Sequence, residues 1–250
     1  MKITILGSGS EGNSTLIEIN NLKILIDVGF SYKQLKNKLA SLNIDPKEIK
    51  HLLITHEHSD HTKGLNIFLN KVKPNLYIKN ELREVLIECR DYDKTTLINE
   101  EFFIENVFVR VLPLSHDAVN PVGYLIEEDE SLVYITDTGY IHKRILNLIE
   151  NKNYYIIESN HDTEMLINGP YPLYLQKRIL SDKGHISNDF CGTYLSKIIG
   201  EKTKKIILAH LSKTNNSPDI ALNTVIRILK DNGITFENIE CANEEELVKM

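Results

Sequence analysis

Hydrophobic residues along the chain fall into two kinds of pattern. Short apolar runs bounded by glycine, asparagine or charged residues predict β-strands, and they occur at 3–6, 15–19, 23–27, 51–55, 107–112, 124–127, 132–136, 155–158 and 206–209. Apolar residues at helical spacing predict helices at 32–42, 143–150, 188–199 and 219–229. This alternation predicts the α/β class, and the absence of long linkers predicts a single domain over residues 1–250.

Polar residues follow many of the predicted strands. The histidines and carboxylates at or just beyond strand ends are His56, His116, Asp137, Glu158 and His210. Loops that follow strands meet at one edge of a sheet, and binding and catalytic residues concentrate there. We therefore expect these side chains to form a site, although the sequence assigns Glu158 no particular role.

The densest group of candidate ligands directly follows the strand predicted at 51–55. It has the form His56-x-His58-x-Asp60-His61. Imidazole and carboxylate ligands suit zinc, manganese or iron, and four of them exceed what one catalytic ion usually takes from a single segment. The pattern therefore predicts two divalent ions. The alternative, incidental histidines on a solvated loop, is weak because the chain has only nine histidines among 250 residues.

Charge neither supports nor excludes a nucleic-acid substrate. The net charge of −6 provides no overall attraction for nucleic acid. A local basic patch could still arise from Lys143-Arg144, Lys177-Arg178 or Lys202 with Lys204-Lys205. Isolated basic residues on solvated helix faces explain each of these equally well.

Cysteines and apolar segments limit the location of the protein. Cys89, Cys191 and Cys241 lie far apart, so neither a disulfide framework nor a cysteine zinc site is expected. No apolar stretch approaches the roughly 20 residues that a membrane helix needs. The sequence therefore predicts a cytoplasmic protein that does not bind membranes.

The order of the candidate ligands resembles that of metallo-β-lactamase-fold hydrolases, and the resemblance covers nearly the whole chain. It implies a four-layer αββα sandwich. More specific motifs resemble the bacterial YycJ/WalJ (VicX) family. They are Gly9-Ser10-Glu11-Gly12-Asn13-Ser14, Thr55-His56-Glu57-His58-Ser59-Asp60-His61, Ser115-His116-Asp117-Ala118, Thr136-Asp137-Thr138-Gly139-Tyr140, Glu158-Ser159-Asn160-His161-Asp162, Tyr171-Pro172, Lys177-Arg178-Ile179-Leu180-Ser181-Asp182, Gly184-His185-Ile186-Ser187-Asn188 and Ala209-His210-Leu211-Ser212.

The resemblance implies a set of metal ligands. Three residues would bind one ion, namely His56, His58 and His116. Three others would bind the second ion, namely Asp60, His61 and His210, with Asp137 bridging the two. The resemblance gives Asp27 the role of orienting the ligands, although an aspartate before Val28-Gly29 could also simply form a turn.

The activity that the resemblance implies is 5′ to 3′ exonuclease digestion of DNA, in DNA repair. A hydroxide activated by two zinc or manganese ions, or by iron, would attack the phosphodiester. Asp60 would steer its proton, and His185 would bind a phosphate oxygen or protonate the leaving group. His185 could instead be a structural histidine that caps the next helix. The partner would be DNA with 5′ ends, single- or double-stranded, and a homodimer is compatible with the sequence.

Several residues are candidates for substrate contact. Ser10, Asn13 and Ser14 lie in a glycine-rich loop, where backbone N–H groups can approach an anion, although a plain turn explains this loop equally well. His161 could contact substrate or order its own loop. Glu11 is expected to point outward, since an inward carboxylate would repel a phosphate.

Other functions share the same metal ligands. A small-molecule hydrolase acting on a cyclic phosphodiester, lactone or thioester would fit the acidic charge better. An RNA-processing nuclease is chemically close, but the RNA-clamping insertion of transfer-RNA-processing relatives has no obvious counterpart in this chain. A non-catalytic, metal-stabilised module is disfavoured because every expected type of ligand is present.

Overall fold

The computed structural model describes residues 1–250. The strands are β1 Lys2–Gly7, β2 Ser14–Ile19, β3 Leu22–Ile26, β4 His51–Leu53, β5 Asn75–Ile78, β6 Thr95–Leu97, β7 Glu101–Ile104, β8 Val107–Pro113, β9 Val122–Glu127, β10 Ser131–Ile135, β11 Tyr154–Glu158, β12 Lys205–Ala209, β13 Ile239–Cys241 and β14 Val248–Lys249. The α-helices are α1 Tyr32–Ala40, α2 Ser59–Thr62, α3 Leu65–Val72, α4 Asn80–Val85, α5 Ile87–Arg90, α6 Lys143–Leu148, α7 Thr163–Asn168, α8 Leu173–Ile179, α9 Asn188–Ile198 and α10 Pro218–Asp231. A 3-10 turn covers Pro46–Glu48.

The chain divides into two compact units. The first comprises Met1–Val111, Ala118–Val122 and Asn243–Met250. It contains a mixed sheet in the order β14-β1-β2-β3-β4-β5-β6, in which β1 to β3 form an antiparallel meander and β3 to β6 run parallel. Helices α1 to α5 lie in the connections of this unit, and the hairpin β7–β8 also belongs mostly to it.

The core of the first unit lies between its sheet and its helices. Leu16, Leu25 and Leu52 from neighbouring strands pack with Leu39 of α1 and Phe68 of α3. All of these side chains are fully buried. Burial of a leucine or phenylalanine side chain contributes roughly 1.5–3 kcal/mol each, so this packing fixes where the ends of the strands lie.

The second unit comprises Leu112–Asp117 and Gly123–Ala242. Its strands follow the order β13-β12-β11-β10-β9, with β10 to β13 parallel and β9 antiparallel to β10. Val133, Tyr155 and Leu208 of these strands pack in one core with Leu195 of α9 and Val225 of α10. The parallel strands point their C-terminal ends in one direction, which places Asp137, Glu158 and His210 at one edge.

All nine predicted strands and all four predicted helices are present. Some predicted strands extend past the C-terminal end of the observed strand, where a site residue leaves the regular backbone conformation. The strand predicted at 51–55 ends at Leu53, because the Thr55 backbone N–H donates to the Asp27 carboxylate rather than to a neighbouring strand. His51 starts β4, and His142 caps α6 by accepting from the Arg144 N–H.

Edge strands and short helices were not predicted. β6, Thr95-Thr96-Leu97, lies at the sheet edge with half-exposed or exposed side chains, so it has no apolar alternation to reveal it. Six helices of four to eight residues were also not predicted, namely α2, α3, α4, α5, α7 and α8.

The three cysteines are free thiols. Cys89 and Cys191 are buried and Cys241 is half-buried, and none of them forms a disulfide. None of the helices combines the length and apolar character required to cross a membrane. The prediction of a single domain over residues 1–250 stays a prediction.

Gly29 provides a test of how the first unit holds its histidine-containing loop. The Gly29 N–H donates to the Asn13 carbonyl (3.0 Å), and the Asn13 N–H donates to the Asp60 carbonyl (2.7 Å). A Cβ on Gly29 would overlap the Asp60 carbonyl oxygen, which is backbone and cannot move alone. Gly29→Ala should therefore lower the free energy of unfolding by about 1–3 kcal/mol, as overpacking does, measured by urea denaturation.

Gly192→Ala is the matched control. A Cβ there meets side-chain atoms of Ile228, the nearest being Cδ1 at 2.9 Å, rather than backbone, and Gly192 lies in the middle of α9, where alanine favours the helix. If Gly29→Ala changes stability no more than Gly192→Ala does, the tight approach to Asp60 is not a constraint.

Candidate metal centre

The candidate ligands form two clusters, one in each unit. The loop cluster of the first unit consists of His56, His58, Asp60 and His61. The strand-end cluster of the second unit consists of His116, Asp137, Glu158, His185 and His210.

The loop cluster follows β4 and runs into α2. The ring centroid of His56 lies 4.7 Å from that of His58 and 4.1 Å from that of His61. His58 caps α2, and Thr62 closes the turn by donating its hydroxyl to the His58 carbonyl at 3.0 Å. His56 and His61 are buried, whereas His58 and Asp60 are half-buried. The sequence motif therefore folds into a compact group of imidazole and carboxylate side chains.

Asp27 is hydrogen-bonded to the loop cluster through His61 and to the neighbouring Thr55. Its Oδ1 accepts from the Thr55 N–H (2.9 Å), and its Oδ2 lies 2.8 Å from the Thr55 hydroxyl and 2.7 Å from His61 Nδ1. Burial raises the pKa of Asp27, while the charge of His61 and these hydrogen bonds oppose the increase. Because Asp27 binds Nδ1, His61 turns its Nε2 to the opposite side. This contact is the one expected of a residue that orients a ligand, and the predicted role stays a prediction.

The glycine-rich loop also reaches the loop cluster. Asn13 is buried, and its Nδ2 lies 3.2 Å from Asp60 Oδ2 and 3.0 Å from His61 Nε2. Ser14 is buried too, and its hydroxyl donates to the Asp27 carbonyl at 2.8 Å. Ser10 and Glu11 are exposed, as expected for Glu11. The contacts of Asn13 and Ser14 are to protein groups, and substrate binding by Ser10, Asn13 or Ser14 stays a prediction.

Asp137 is central to the strand-end cluster. Its Oδ1 lies 3.4 Å from His210 Nε2, 3.9 Å from His116 Nε2 and 3.9 Å from His185 Nδ1. Ligand atoms of Asp137, Glu158, His185 and His210 all lie within 4.8 Å of one another. The sequence predicted site residues at the ends of separate strands. In the structure three of them, Asp137, Glu158 and His210, lie next to one another and to His185.

Three strand ends share an unusual backbone conformation. Asp27, Asp137 and His210 follow β3, β10 and β12, and each has a left-handed φ, of 60°, 59° and 55°. Aspartate and histidine are enriched among non-glycine residues in this region, which costs about 1–2 kcal/mol. The turn stops each strand and directs the side chain away from the alternation of the sheet.

Glu158 is the main residue that sequence reasoning left without a role. It is fully buried at the end of β11, and its Oε1 lies 2.7 Å from His185 Nδ1 and 2.9 Å from His210 Nδ1. Its Oε2 accepts from the Thr138 and Ile186 N–H groups, at 3.1 and 3.2 Å. Burial would raise the pKa of Glu158, but His185 and His210 outweigh burial and hold this pKa at about 2. Glu158 is therefore an ionised carboxylate that positions two imidazoles.

A chain of contacts fixes His116. Its Nδ1 bonds to the Gly184 carbonyl (3.0 Å), and its Nε2 lies 3.3 Å from Asp117, which Arg178 also binds. Burial lowers the pKa of His116, and the carboxylates of Asp137 and Glu158 oppose this. The neutral ring favoured by burial is the form that binds metal.

The segment Asn160-His161-Asp162 packs around the same strand ends. Asn160 Nδ2 donates to the His210 carbonyl at 2.8 Å. His161 is buried, its Nδ1 lies 3.3 Å from Asn160 Oδ1, and burial lowers its pKa to about 4. Asp162 caps α7 by accepting from the Met165 N–H. The segment thus orders its own loop, and substrate contact by His161 stays a prediction.

The chemistry of these donors fits divalent metals. The Nδ1 atoms of His61, His116 and His210 bond to Asp27, the Gly184 carbonyl and Glu158 respectively. Ligating histidines typically have one ring nitrogen fixed in this way by a carboxylate or carbonyl, while the other binds the ion. Imidazole with carboxylate is a donor set that suits zinc, manganese and iron.

Comparisons with known proteins agree with this geometry. Residues 23–210 match the family described as beta-lactamase superfamily domain. Over its whole length the chain superposes on the metallo-β-lactamase fold protein YhfI from Bacillus subtilis, with a TM-score of 0.75, 13% identity and 98% of that chain covered. The predicted α/β class and metallo-β-lactamase fold are confirmed.

Two relatives are similar in sequence over most of the chain. Exodeoxyribonuclease WalJ of Streptococcus pneumoniae is 37% identical over 236 residues, which cover 91% of this chain and 88% of WalJ. Exodeoxyribonuclease YycJ of Bacillus anthracis is 35% identical over 241 residues, covering 93% of this chain and 90% of YycJ. The chain therefore belongs to the metallo-β-lactamase superfamily and, within it, to the family of WalJ and YycJ.

Proposed function

We propose that this protein is a metal-dependent 5′ to 3′ DNA exonuclease that acts in DNA repair in the cytoplasm. The main support for this proposal is the position of His185. Glu158 binds His185 and places it beside Asp137 and His210, although His185 itself is not one of the predicted ligands. A histidine next to a metal centre suits a reaction in which an alcohol leaves a phosphodiester. The two similar relatives, both exodeoxyribonucleases, support DNA as the substrate.

The metal centre that we propose contains two divalent ions, of zinc, manganese or iron. His56, His58 and His116 would bind one, while Asp60, His61 and His210 would bind the other. Asp137 would bridge them, because two nearby cations need a shared anionic ligand to offset their repulsion. The compact grouping of donors within each cluster supports this assignment.

When bound, such ions would polarise the phosphate as Lewis acids and lower the pKa of a water, so that the water can lose a proton and attack at neutral pH. The residues of the chain carry out the proton movements. Asp60, half-buried and 3.2 Å from Asn13 Nδ2, would accept the proton of the attacking water. His185 has its Nδ1 bonded to Glu158, so its Nε2 would bind a phosphate oxygen or donate the proton to the leaving oxygen.

The net charge of −6 favours a second candidate function, hydrolysis of a small phosphodiester, lactone or thioester. Such a substrate would need no extended basic surface. The two candidates share the ions and differ in what binds the remainder of the substrate.

Digestion of end-labelled DNA tests the proposal. The manganese- or zinc-loaded protein should release labelled nucleotide first from 5′-labelled DNA and only late from 3′-labelled DNA, measured by gel electrophoresis on single- and double-stranded substrates. The double variant Asp60→Ala, His61→Ala should lose at least about 10²-fold in rate, because general acid–base catalysis alone contributes 10²–10⁴-fold.

The same variant excludes a contaminating nuclease, since a contaminant would survive the substitution. Turnover of small phosphodiesters or thioesters without cleavage of any DNA or RNA would instead establish the second candidate. Cleavage of RNA in preference to DNA would identify an RNA-processing nuclease.

Glu158 should control metal affinity although it is not a proposed ligand. Glu158→Gln removes the charge that holds His185 and His210 by their Nδ1 atoms. Loss of such a supporting residue typically weakens metal affinity or activity about 10–100-fold, which competition with a chromophoric zinc chelator would measure. Glu127→Gln is the control, because Glu127 ends β9 and its salt bridge with Lys152 is partly exposed. Equal zinc affinity in both variants would contradict this role of Glu158.

A further inference from the structure

Helix α8 presents an exposed face whose composition is unusual for a solvated helix. Leu173 and Tyr174 are 72% and 75% exposed. Lys177 and Arg178 follow at positions three and four residues after Tyr174, so they share its side of the helix, whereas Gln176 and Ile179 are buried. An aromatic ring, an aliphatic side chain and two cations therefore face solvent together.

The start of this helix is anchored rather than loose. Gln176 is buried, and its Nε2 bonds to the Tyr171 carbonyl (2.9 Å) and the Ile167 carbonyl (3.3 Å). These bonds fasten the turn between α7 and α8. The exposed Tyr174 ring is thus carried on a fixed backbone, which lowers the entropy cost of binding to it.

The other end of α8 is attached to the strand-end cluster. The Ile179 carbonyl accepts from the His185 N–H at 3.0 Å. Arg178 binds Asp117, whose other oxygen lies 3.3 Å from His116 Nε2. The seven residues of α8 rise about 10 Å, so the exposed face runs outward from His116 and His185 to Leu173 and Tyr174.

The exposed side chains of α8 suit single-stranded DNA as a ligand. Non-specific binding of single strands combines cations that follow the phosphates with aromatic rings on which bases stack. A base inside a duplex has both faces covered by its neighbours and cannot stack on Tyr174, and a small substrate would not extend this far along the helix. Arg178 is already paired with Asp117 and the chain as a whole is acidic, so Lys177 is the cation beside the cluster that favours the approach of a phosphate backbone.

We propose that the exposed face of α8 binds the single-stranded nucleotides next to the scissile phosphate, with a base stacked on Tyr174 and a phosphate neutralised by Lys177. This inference rests on the proposed exonuclease function. It adds that the protein prefers single strands and overhangs to blunt duplexes.

Steady-state digestion by the manganese-loaded protein tests the surface. Tyr174→Ala should raise KM for a single-stranded oligonucleotide about tenfold, equivalent to ~1.4 kcal/mol and within the range for loss of one stacked base. Tyr174→Phe, which keeps the ring, should retain the wild-type KM. Hydrolysis of thymidine 5′-p-nitrophenyl phosphate should be unchanged in both variants, because it needs the cluster and not α8.

Salt dependence tests the cation. Lys177→Ala should reduce the slope of log affinity against log salt concentration by roughly 0.7, the value for one phosphate contact to a single strand. Phe103→Ala and Lys230→Ala are matched controls, since both side chains are exposed and lie on other elements, and neither should change KM or the slope.

The outcomes separate this inference from the proposed function. If the wild type digests single-stranded DNA while Tyr174→Ala keeps its KM and Lys177→Ala keeps its salt slope, the surface is wrong and the exonuclease function stands. If the wild type digests no DNA, the proposed function fails. In that case fluorescence anisotropy with a labelled single strand tests the surface separately. If the metal-loaded wild type binds no single strand, the proposed binding surface on α8 is wrong as well.

Discussion

The site depends on buried carboxylates that hold imidazole rings by Nδ1. Asp27 does this for His61, and Glu158 does it for both His185 and His210. A buried carboxylate without partners would be too costly to keep ionised, so each carboxylate and its imidazole partner stabilise one another. Each pair fixes the orientation of a ring, which is what a ligand for a metal ion needs before the ion arrives.

The folds of both units deliver these carboxylates in the same manner. Asp27 follows β3, Asp137 follows β10 and Glu158 ends β11, where the strands leave the sheet. Asp27 and Asp137 adopt the left-handed conformation there, as His210 does after β12. The small free-energy cost of this conformation is offset by packing of the strands β3, β10 and β12, in which Leu25, Val133 and Leu208 are fully buried. The hydrophobic cores therefore position the polar residues.

Sequence reasoning identified the strands that carry the site and the residue types at their ends, because both depend on local pattern. It did not assign Glu158, since a lone glutamate after an apolar run could equally be solvated. Only the position of β11 between β10 and β12 makes it the partner of two histidines. For the same reason the glycine-rich loop did not reveal that the fold brings Asn13 to Asp60 and His61. Contacts between residues distant in sequence decide such roles, and periodicity does not contain them.

The acidic net charge is a smaller obstacle to a DNA substrate than it first appears. Asp27, Asp137 and Glu158 are all buried, so part of the net charge of −6 lies inside the site and not on the surface that a nucleic acid would meet. Two divalent ions in the proposed centre would add four positive charges and bring the net charge to −2. Bound ions would then make the potential more positive where a phosphate must arrive, since ions are the largest local charges in such a site. In the proposed enzyme, binding of the polyanion and binding of the ions would therefore be coupled through the same carboxylates.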